Sequence, residues 1–226
     1  GIRQRMGFRA GRGSMEILKG VHLIDVYANS YVLVDDRLVL VDTSAEADAK
    51  GILRYLEKVR IKPKDLATIF ITHTHPDHVS GLSRIKQDAA STKVAASKIE
   101  ADFISKRRTY DGPPGPAYQR HPGTRVDVPL DDGQSYDGLQ VIFTPGHTRG
   151  SMSLLDESRS LLIAGDAANN ESGLGPMDDQ YNVDPKLHRE SIRKVATFQF
   201  ENAVFGHGKP IVGRASAQFV ALAKKL

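Results

Sequence analysis

The feature that most constrains this chain is the run Thr72-His73-Thr74-His75-Pro76-Asp77-His78, which directly follows an apolar segment. Residues 66–72 (LATIFIT) have the length and composition of a buried strand. In extended backbone, residues i and i+2 point to the same side, so His73 and His75 can converge on one cation. Asp77 and His78 come where the chain turns into a helix, and they can face a second cation nearby. Four ligand-type residues within six positions at a strand end therefore predict a metal site.

The absence of cysteine limits what such a site can be. Without thiolates, a metal must be held by histidine, aspartate or glutamate, which suits zinc, manganese or iron. Disulfides and a cysteine nucleophile are also excluded.

The apolar pattern predicts one domain over residues 15–226. Strand-like segments at 16–42 precede a helix–strand alternation, and the second half repeats this order. Helices are predicted at 45–60, 78–86, 97–106, 185–198 and 214–226, with Asp184 and Pro185 as the start signal of the fourth. This arrangement predicts a four-layer α/β sandwich, in which two mixed sheets carry helices on their outer faces.

Three further motifs end strand-like segments: Thr144-Pro145-Gly146-His147-Thr148, Leu161-Leu162-Ile163-Ala164-Gly165-Asp166 and Ala203-Val204-Phe205-Gly206-His207-Gly208. An earlier strand ends in Asp42-Thr43. Together with the HTHPDH run, these motifs resemble, in order, those of the metallo-β-lactamase fold superfamily. The resemblance covers essentially residues 15–226.

The resemblance implies a pair of divalent metal ions, with zinc expected and iron or manganese as alternatives. One metal would be held by His73, His75 and His147, the other by Asp77, His78 and His207, and Asp166 would bridge them. A hydroxide between the metals would be the nucleophile, and Asp77 would also orient it. Asp42 would hydrogen-bond a ligand histidine or its loop, unless it is only a turn residue at a strand end.

The resemblance also implies a small, glyoxalase II-like hydrolase that cleaves an ester, thioester, lactone or phosphoester in a small-molecule substrate. Asn169 occupies the position three residues after Asp166 where lactonase relatives carry tyrosine, which weakens a specialised lactonase role. A mononuclear-iron persulfide dioxygenase of the same superfamily is the main alternative. A second alternative is a binding module that is stabilised by metal and has no enzymatic activity.

A long segment rich in proline and glycine, residues 106–125, is predicted to be a loop. It is either a solvated surface loop or a lid whose Tyr110, Tyr118 and Arg120 contact the substrate. Tyr181 and Asn182, which follow another glycine-containing segment, are candidates for the rim of the pocket, and Tyr181 is a further candidate contact. Of the remaining histidines, His22 is predicted to be structural and His188 to be solvated.

The first 14 residues contain four arginines and no acid, and we expect them to be an added leader outside the domain. The formal net charge is +4; without these arginines, 27 basic residues face 27 acidic ones. The charge therefore makes no case for nucleic acid as a partner. No apolar stretch predicts a membrane span or a secretory signal, so we expect a cytoplasmic protein. The sequence leaves the oligomeric state open, a homodimer included.

Overall fold

The computed structural model describes residues 13–226, so most of the expected leader lies outside the described residues. Ser14, the last residue of that leader, contacts the domain, since its Oγ accepts a hydrogen bond from the N–H of Asp25 at 2.8 Å.

The first sheet has seven strands that lie side by side in chain order. The first four are antiparallel neighbours, and the fourth to the seventh are parallel. They are β1 (Met15–Leu18), β2 (Val21–Val26), β3 (Ala28–Val34), β4 (Leu38–Val41), β5 (Leu66–Ile71), β6 (Lys93–Ser97) and β7 (Val128–Leu130).

The second sheet has six strands in the order β13-β12-β11-β10-β9-β8. Only the pair β11 and β12 is parallel within it. The strands are β8 (Ser135–Tyr136), β9 (Leu139–Phe143), β10 (Met152–Asp156), β11 (Leu161–Ile163), β12 (Asn202–Val204) and β13 (Ile211–Val212).

Six α-helices lie in the described part of the chain: α1 (Lys50–Lys58), α2 (Pro76–Val79), α3 (Leu82–Asp88), α4 (Ala101–Ile104), α5 (Pro185–Val195) and α6 (Ala215–Ala223). Single 3₁₀ turns occur at Pro63–Asp65, Pro116–Tyr118 and Asp179–Tyr181. As the sequence predicts, Asp184 caps α5, because its Oδ1 accepts a hydrogen bond from the N–H of Leu187 at 3.0 Å. Within residues 13–226, no helix has the length and apolar character needed to cross a bilayer.

Strand alternation divides the core into three layers of side chains. In β4, Leu40 joins a cluster with residues of α1 and α3, whereas Val39 and Val41 point to the other face. The middle cluster lies between the two sheets, and a third cluster packs the second sheet against α5 and α6. The molecule is thus the predicted four-layer sandwich of two mixed sheets with helices outside.

Three of the predicted helices differ most from those in the structure. The first begins at Lys50 rather than at residue 45, because Ser44 and Ala49 have φ values of 61° and 52°, which interrupt a helix. The second divides into α2 and α3, which are separated by Ser80 and Gly81. The third is reduced to α4, because Ser97 pairs in β6 instead. Two-residue strands such as β8 and β13 carry too little pattern to be predicted.

Candidate metal centre

The predicted ligands gather at one edge of the sandwich, where strands of both sheets end. His73 and His75 follow β5, and His147 follows β9. Asp166 and His207 follow β11 and β12, which are parallel neighbours. Asp77 and His78 lie in α2, where Pro76 is the first residue. Two groups of potential ligand atoms result, each within 4.8 Å: one comprises His73, His75 and His147, and the other Asp77, His78, Asp166 and His207.

Asp166 lies between the two groups. Its Oδ2 is 3.5 Å from Nε2 of His73 and 3.2 Å from Nε2 of His147, both in the first group. The same oxygen is 3.2 Å from Nε2 of His78 and 3.4 Å from Nε2 of His207, in the second. One carboxylate oxygen is therefore shared by the two groups, as a bridging ligand requires.

The inner atoms of this cluster have no ordinary hydrogen-bond partners. Nε2 of His73, His78 and His147 and Oδ1 of Asp166 are buried and unpartnered among the described residues. Buried polar atoms are nearly always paired, so a convergent set of unpaired lone-pair donors requires an explanation. A divalent cation supplies one, and neutral imidazoles with carboxylates are ligands that zinc, iron and manganese accept.

The outer nitrogens of the histidines are held by acceptors. His78 donates from Nδ1 to Oδ2 of Asp42 at 2.7 Å. The same carboxylate accepts from the N–H and from Oγ1–H of Thr72, both at 2.8 Å, and Thr72 Oγ1 lies 3.0 Å from Nδ1 of His73. Asp42, which has a φ of 63°, therefore orients two of the predicted ligands at once.

Two other histidines are oriented in the same way. His147 donates from Nδ1 to Oδ1 of Asn182 at 2.8 Å, and His75 donates from Nε2 to the carbonyl of Pro113 at 2.8 Å. Each acceptor fixes the proton on one nitrogen, which leaves the other nitrogen with a free lone pair. His147 would thus bind through Nε2 and His75 through Nδ1. Asn182 was predicted, with Tyr181, only as a candidate for the pocket rim, and nothing in the sequence indicates its hydrogen bond to His147.

Glu100 is a residue that the sequence analysis missed. It is fully buried, and its Oε1 accepts from the N–H of Thr74 at 2.8 Å while Oε2 accepts from the N–H of Gly150 at 3.0 Å. Thr74 lies between His73 and His75 in the chain, and Gly150 follows His147. Glu100 therefore joins the two loops that carry the first group. Burial raises the pKa of its carboxyl group. A glutamate just before a short helix gives no signal of this role.

The prediction that His188 is solvated is wrong. It is fully buried on the inner face of α5, and its Nε2 accepts from the N–H of Met177 at 3.0 Å. Its ring centre lies 6.1 Å from that of His147. Gly146, with a φ of 126°, makes this packing possible, because a Cβ there would lie 2.2 Å from the backbone nitrogen of His188. His22 is structural as predicted: its Nδ1 is 2.7 Å from the hydroxyl of Tyr55.

Gly206 is required because the side chains of Asp166 and His78 approach its Cα closely, and not because of its φ angle. A Cβ at this position would lie 2.2 Å from Oδ1 of Asp166 and 2.6 Å from Cε1 of His78. The glycine before His207 therefore lets β12 end directly against the centre of the site.

The charges in the second group perturb its pKa values. Burial opposes protonation of His207, but Asp166 and Asp77 overcome it and raise the pKa of His207 to about 10. His78 is buried too, and the same two carboxylates with Asp42 raise its pKa well above the usual value. In the first group, burial lowers the pKa of His75 to about 3. Burial likewise lowers the pKa of His73, so His73 and His75 offer neutral imidazoles, whereas His78 and His207 must release protons to a metal.

The four predicted substrate contacts are placed differently. Tyr110 is only 2% exposed; its ring centre is 5.7 Å from that of His75, and its hydroxyl is unpartnered among the described residues. Tyr118 and Tyr181 are exposed, at 57% and 42%, and Arg120 is exposed as well. Tyr110 thus lies at the first metal group, whereas the other three side chains lie on the surface.

Comparison with known proteins agrees with this geometry. The probable metallo-hydrolase YflN of Bacillus subtilis (strain 168) is 27% identical over 240 residues, covering 91% of this chain and 90% of that protein. The uncharacterized protein YobT of the same organism is 32% identical over 152 residues, covering 65% and 64%. A hydroxyacylglutathione hydrolase of Pseudomonas putida (strain GB-1) is 34% identical over 146 residues, covering 62% and 46%. The chain thus spans less than two thirds of YobT and about half of the last relative.

Solved structures share the fold. A metallo-beta-lactamase with an HARLDQ motif from Cronobacter sakazakii has a TM-score of 0.78 at 23% identity, covering 97% of this chain and 94% of that one. A metallo-beta-lactamase family protein from Thermus thermophilus has a TM-score of 0.71 at 24% identity, covering 93% and 80%. The family profile described as metallo-beta-lactamase superfamily matches residues 23–207. Since that match includes every motif that ends at the metal centre, the chain belongs to the metallo-beta-lactamase superfamily.

Proposed function

We propose that this protein is a dinuclear metal-dependent hydrolase that cleaves an ester, thioester, lactone or phosphoester bond in a small molecule. The observation that carries the proposal is the position of Asp166, whose Oδ2 lies within 3.5 Å of histidine nitrogens from both ligand groups. A mononuclear centre would need only one group. The paired arrangement favours two cations, and the histidine and aspartate ligands suit zinc. Asp166 would contribute to holding both.

We assign a separate role to each group of ligand residues. His73, His75 and His147 would hold one metal, and Asp77, His78 and His207 the other. When bound, such metals supply Lewis acidity and activate water at neutral pH. Asp77 would also orient the attacking water, because its side chain is 22% exposed whereas that of Asp166 is 2% exposed. Asp77 thus borders the solvent side of the centre, where a substrate must enter.

This arrangement and the relatives both support the proposed bond classes. No side-chain nucleophile is required when activated water attacks the substrate, so acyl and phosphoryl compounds are both chemically accessible. The name of the Pseudomonas putida relative, hydroxyacylglutathione hydrolase, supports acyl compounds. Tyr110, Tyr118, Arg120 and Tyr181 remain the candidate substrate contacts, and of these only Tyr110 contacts a ligand histidine.

Metal quantification on the purified protein, combined with a panel of esters, thioesters, lactones and phosphoesters, tests the proposal. We expect two divalent metals per chain, and hydrolysis that a chelator abolishes and zinc restores. A single iron per chain with oxygen consumption would support a persulfide dioxygenase instead. Two bound metals without turnover of any substrate would support a binding module.

A further inference from the structure

A cleft with a volume of about 690 Å³ lies beside the metal centre. Its lining comes from three segments: residues 45–48, one face of α2 and α3, and residues 118–122. Pro76, which lines the cleft, lies between His75 and Asp77 in the chain, and these two residues belong to different ligand groups. The cleft is therefore adjacent to both groups.

The exposed surface of the cleft is mainly apolar, but its charged lining residues carry an excess of positive charge. Arg84 and Arg120 contribute two guanidinium groups, whereas Asp48 is the one acidic residue among the lining residues. The carboxylate of Asp48 is already engaged, since its Oδ1 accepts from the N–H of Lys50 at 3.2 Å. The charge balance therefore favours an anion.

Both arginines are available to a ligand. Arg84 pairs with Asp88 at 2.8 Å, but both side chains are more than one third exposed, and such an i,i+4 pair is weak enough to be exchanged. Arg120 donates from Nε to the carbonyl of Ala117 at 3.2 Å, and within residues 13–226 it forms no ion pair. Its terminal amino groups thus remain free to donate. Guanidinium groups of this kind match carboxylate and phosphate oxygens.

His121 gives an independent reason to expect a ligand. It lines the same cleft, is only 8% exposed, and its Nε2 has no hydrogen-bond partner among the described residues. Burial, with a contribution from the charge of Lys106, lowers its pKa to about 4, so the imidazole is neutral near pH 7. A neutral ring with an unsatisfied nitrogen adds a hydrogen-bonding group to the two charges.

We propose that this cleft binds a carboxylate or phosphate group at one end of the substrate, held by Arg84 and Arg120, while the bond to be cleaved lies at the metal centre. The proposal rests on the hydrolase function above and narrows its substrates to anionic esters or thioesters. Tyr118, whose ring is exposed at the same cleft, would cover the apolar part of such a molecule.

Paired substrates test this assignment. The zinc-loaded full chain is assayed with a succinyl thioester, with the methyl ester of the same succinyl group, and with an analogue that carries a phosphate monoester in place of the free carboxylate. All three have the same leaving group. The quantity measured is the ratio of kcat/KM between each anionic substrate and the neutral one, so that effects on the metals cancel.

We expect Arg84→Gln and Arg120→Gln each to lower this ratio about tenfold, as the loss of one charge-assisted hydrogen bond predicts. Asp88→Asn removes the ion pair of Arg84 but keeps its guanidinium, and Arg125→Gln removes an exposed arginine outside the lining. Both controls should keep the ratio within about twofold. The phosphate and carboxylate analogues show which anion the cleft prefers.

An unchanged ratio in both arginine variants would overturn the proposal while leaving the hydrolase function intact. If no substrate is hydrolysed at all, calorimetric titration of the same proteins with succinate and with inorganic phosphate still tests the cleft. Anion binding that weakens about tenfold in the two arginine variants, and not in the two controls, would support the subsite. Binding that is absent, or equal in all variants, would refute it.

Discussion

The carboxylate of Glu100 accepts the N–H of Thr74 at 2.8 Å, so the residue that precedes α4 holds the backbone between two of the proposed ligands. Its second oxygen accepts the N–H of Gly150 at 3.0 Å, in the loop that carries His147. The geometry of the three-histidine group therefore depends on a buried carboxylate that contacts no histidine by a hydrogen bond.

We predict that Glu100→Ala lowers the free energy of unfolding by about 3 kcal/mol, because two buried N–H groups lose their acceptor. Glu100→Gln keeps one acceptor oxygen and should cost about half as much. Urea unfolding measures both changes. Asp102→Ala, on the exposed side of the same helix, is the control and should stay within about 0.5 kcal/mol. Equal stabilities of Glu100→Ala and the control would contradict the bridging role.

His75→Ala should abolish hydrolysis and reduce the metal content by one ion per chain. The stability cost should be modest, about 1–2 kcal/mol, since the variant loses one hydrogen bond to Pro113. Activity assays, metal analysis and urea unfolding check the three parts. His22→Ala removes a histidine that is bonded to Tyr55 and should keep both metals. Retained turnover in His75→Ala would refute the proposed ligand role.

Asp42→Asn should weaken metal binding by roughly 10- to 100-fold, since the amide cannot accept all three hydrogen bonds that the carboxylate accepts. The effect should fall on the second group, where Asp42 orients His78. Titration against a chelator of known affinity measures it. Asp65→Asn, at an exposed position, serves as the matched control. Wild-type affinity in Asp42→Asn would mean that Asp42 only supports the turn at the end of β4.

Tyr110→Phe should leave stability unchanged or raise it by up to about 1 kcal/mol, because it removes a buried hydroxyl that has no partner among the described residues. Tyr110→Ala should lose about 3 kcal/mol through the cavity it leaves against His75 and Phe103. Thermal and urea unfolding compare the two variants. If the hydroxyl contacts substrate, Tyr110→Phe will change kcat or KM despite its intact stability. A clear loss of stability in Tyr110→Phe would show that the hydroxyl has a partner in the folded protein.

The metal-free protein should be most stable near pH 6.5, the ordinary pKa of histidine. The pKa of His207 is raised to about 10, so its stabilising contribution is complete below about 6.5 and is lost as the pH rises toward 10. The pKa values of His75 and His188 in the folded chain are lowered to about 3 and 4. As the pH drops below about 6.5, these histidines therefore bind protons in the unfolded chain but not in the folded one, and the stability falls.

Urea unfolding with a chelator, between about pH 5 and pH 9.5, measures this profile. The variant His207→Gln should lose less stability than the wild type as the pH rises above about 6.5. Zinc in place of the chelator should abolish this loss of stability, because the metal replaces the protons. A stability that rises steadily from about pH 6.5 to pH 9 would contradict the proposed pairing of His207 with Asp166 and Asp77.

Most of the strands and helices, and all the candidate ligands, could be predicted from the amino-acid sequence. Apolar runs such as residues 66–72 predict buried strands from composition alone. The two-residue spacing of His73 and His75 at the end of that strand can also be read directly from the sequence. The remaining ligands were recognisable because each follows a strand in a motif that resembles the superfamily. Local pattern and motif order are both properties of the linear chain.

The groups that support the ligands became apparent in the folded chain alone. Glu100, Asn182 and Pro113 hold the histidine loops through contacts between segments distant in the chain, and no local pattern predicts these contacts. His188 was misjudged although it lies on the same helix face as the buried Ile192 and Val195, where the turn at Gly146 packs against it. Hydrogen bonds and burial arise when strands and loops meet in space, so partners far apart in the chain become visible only in the folded chain.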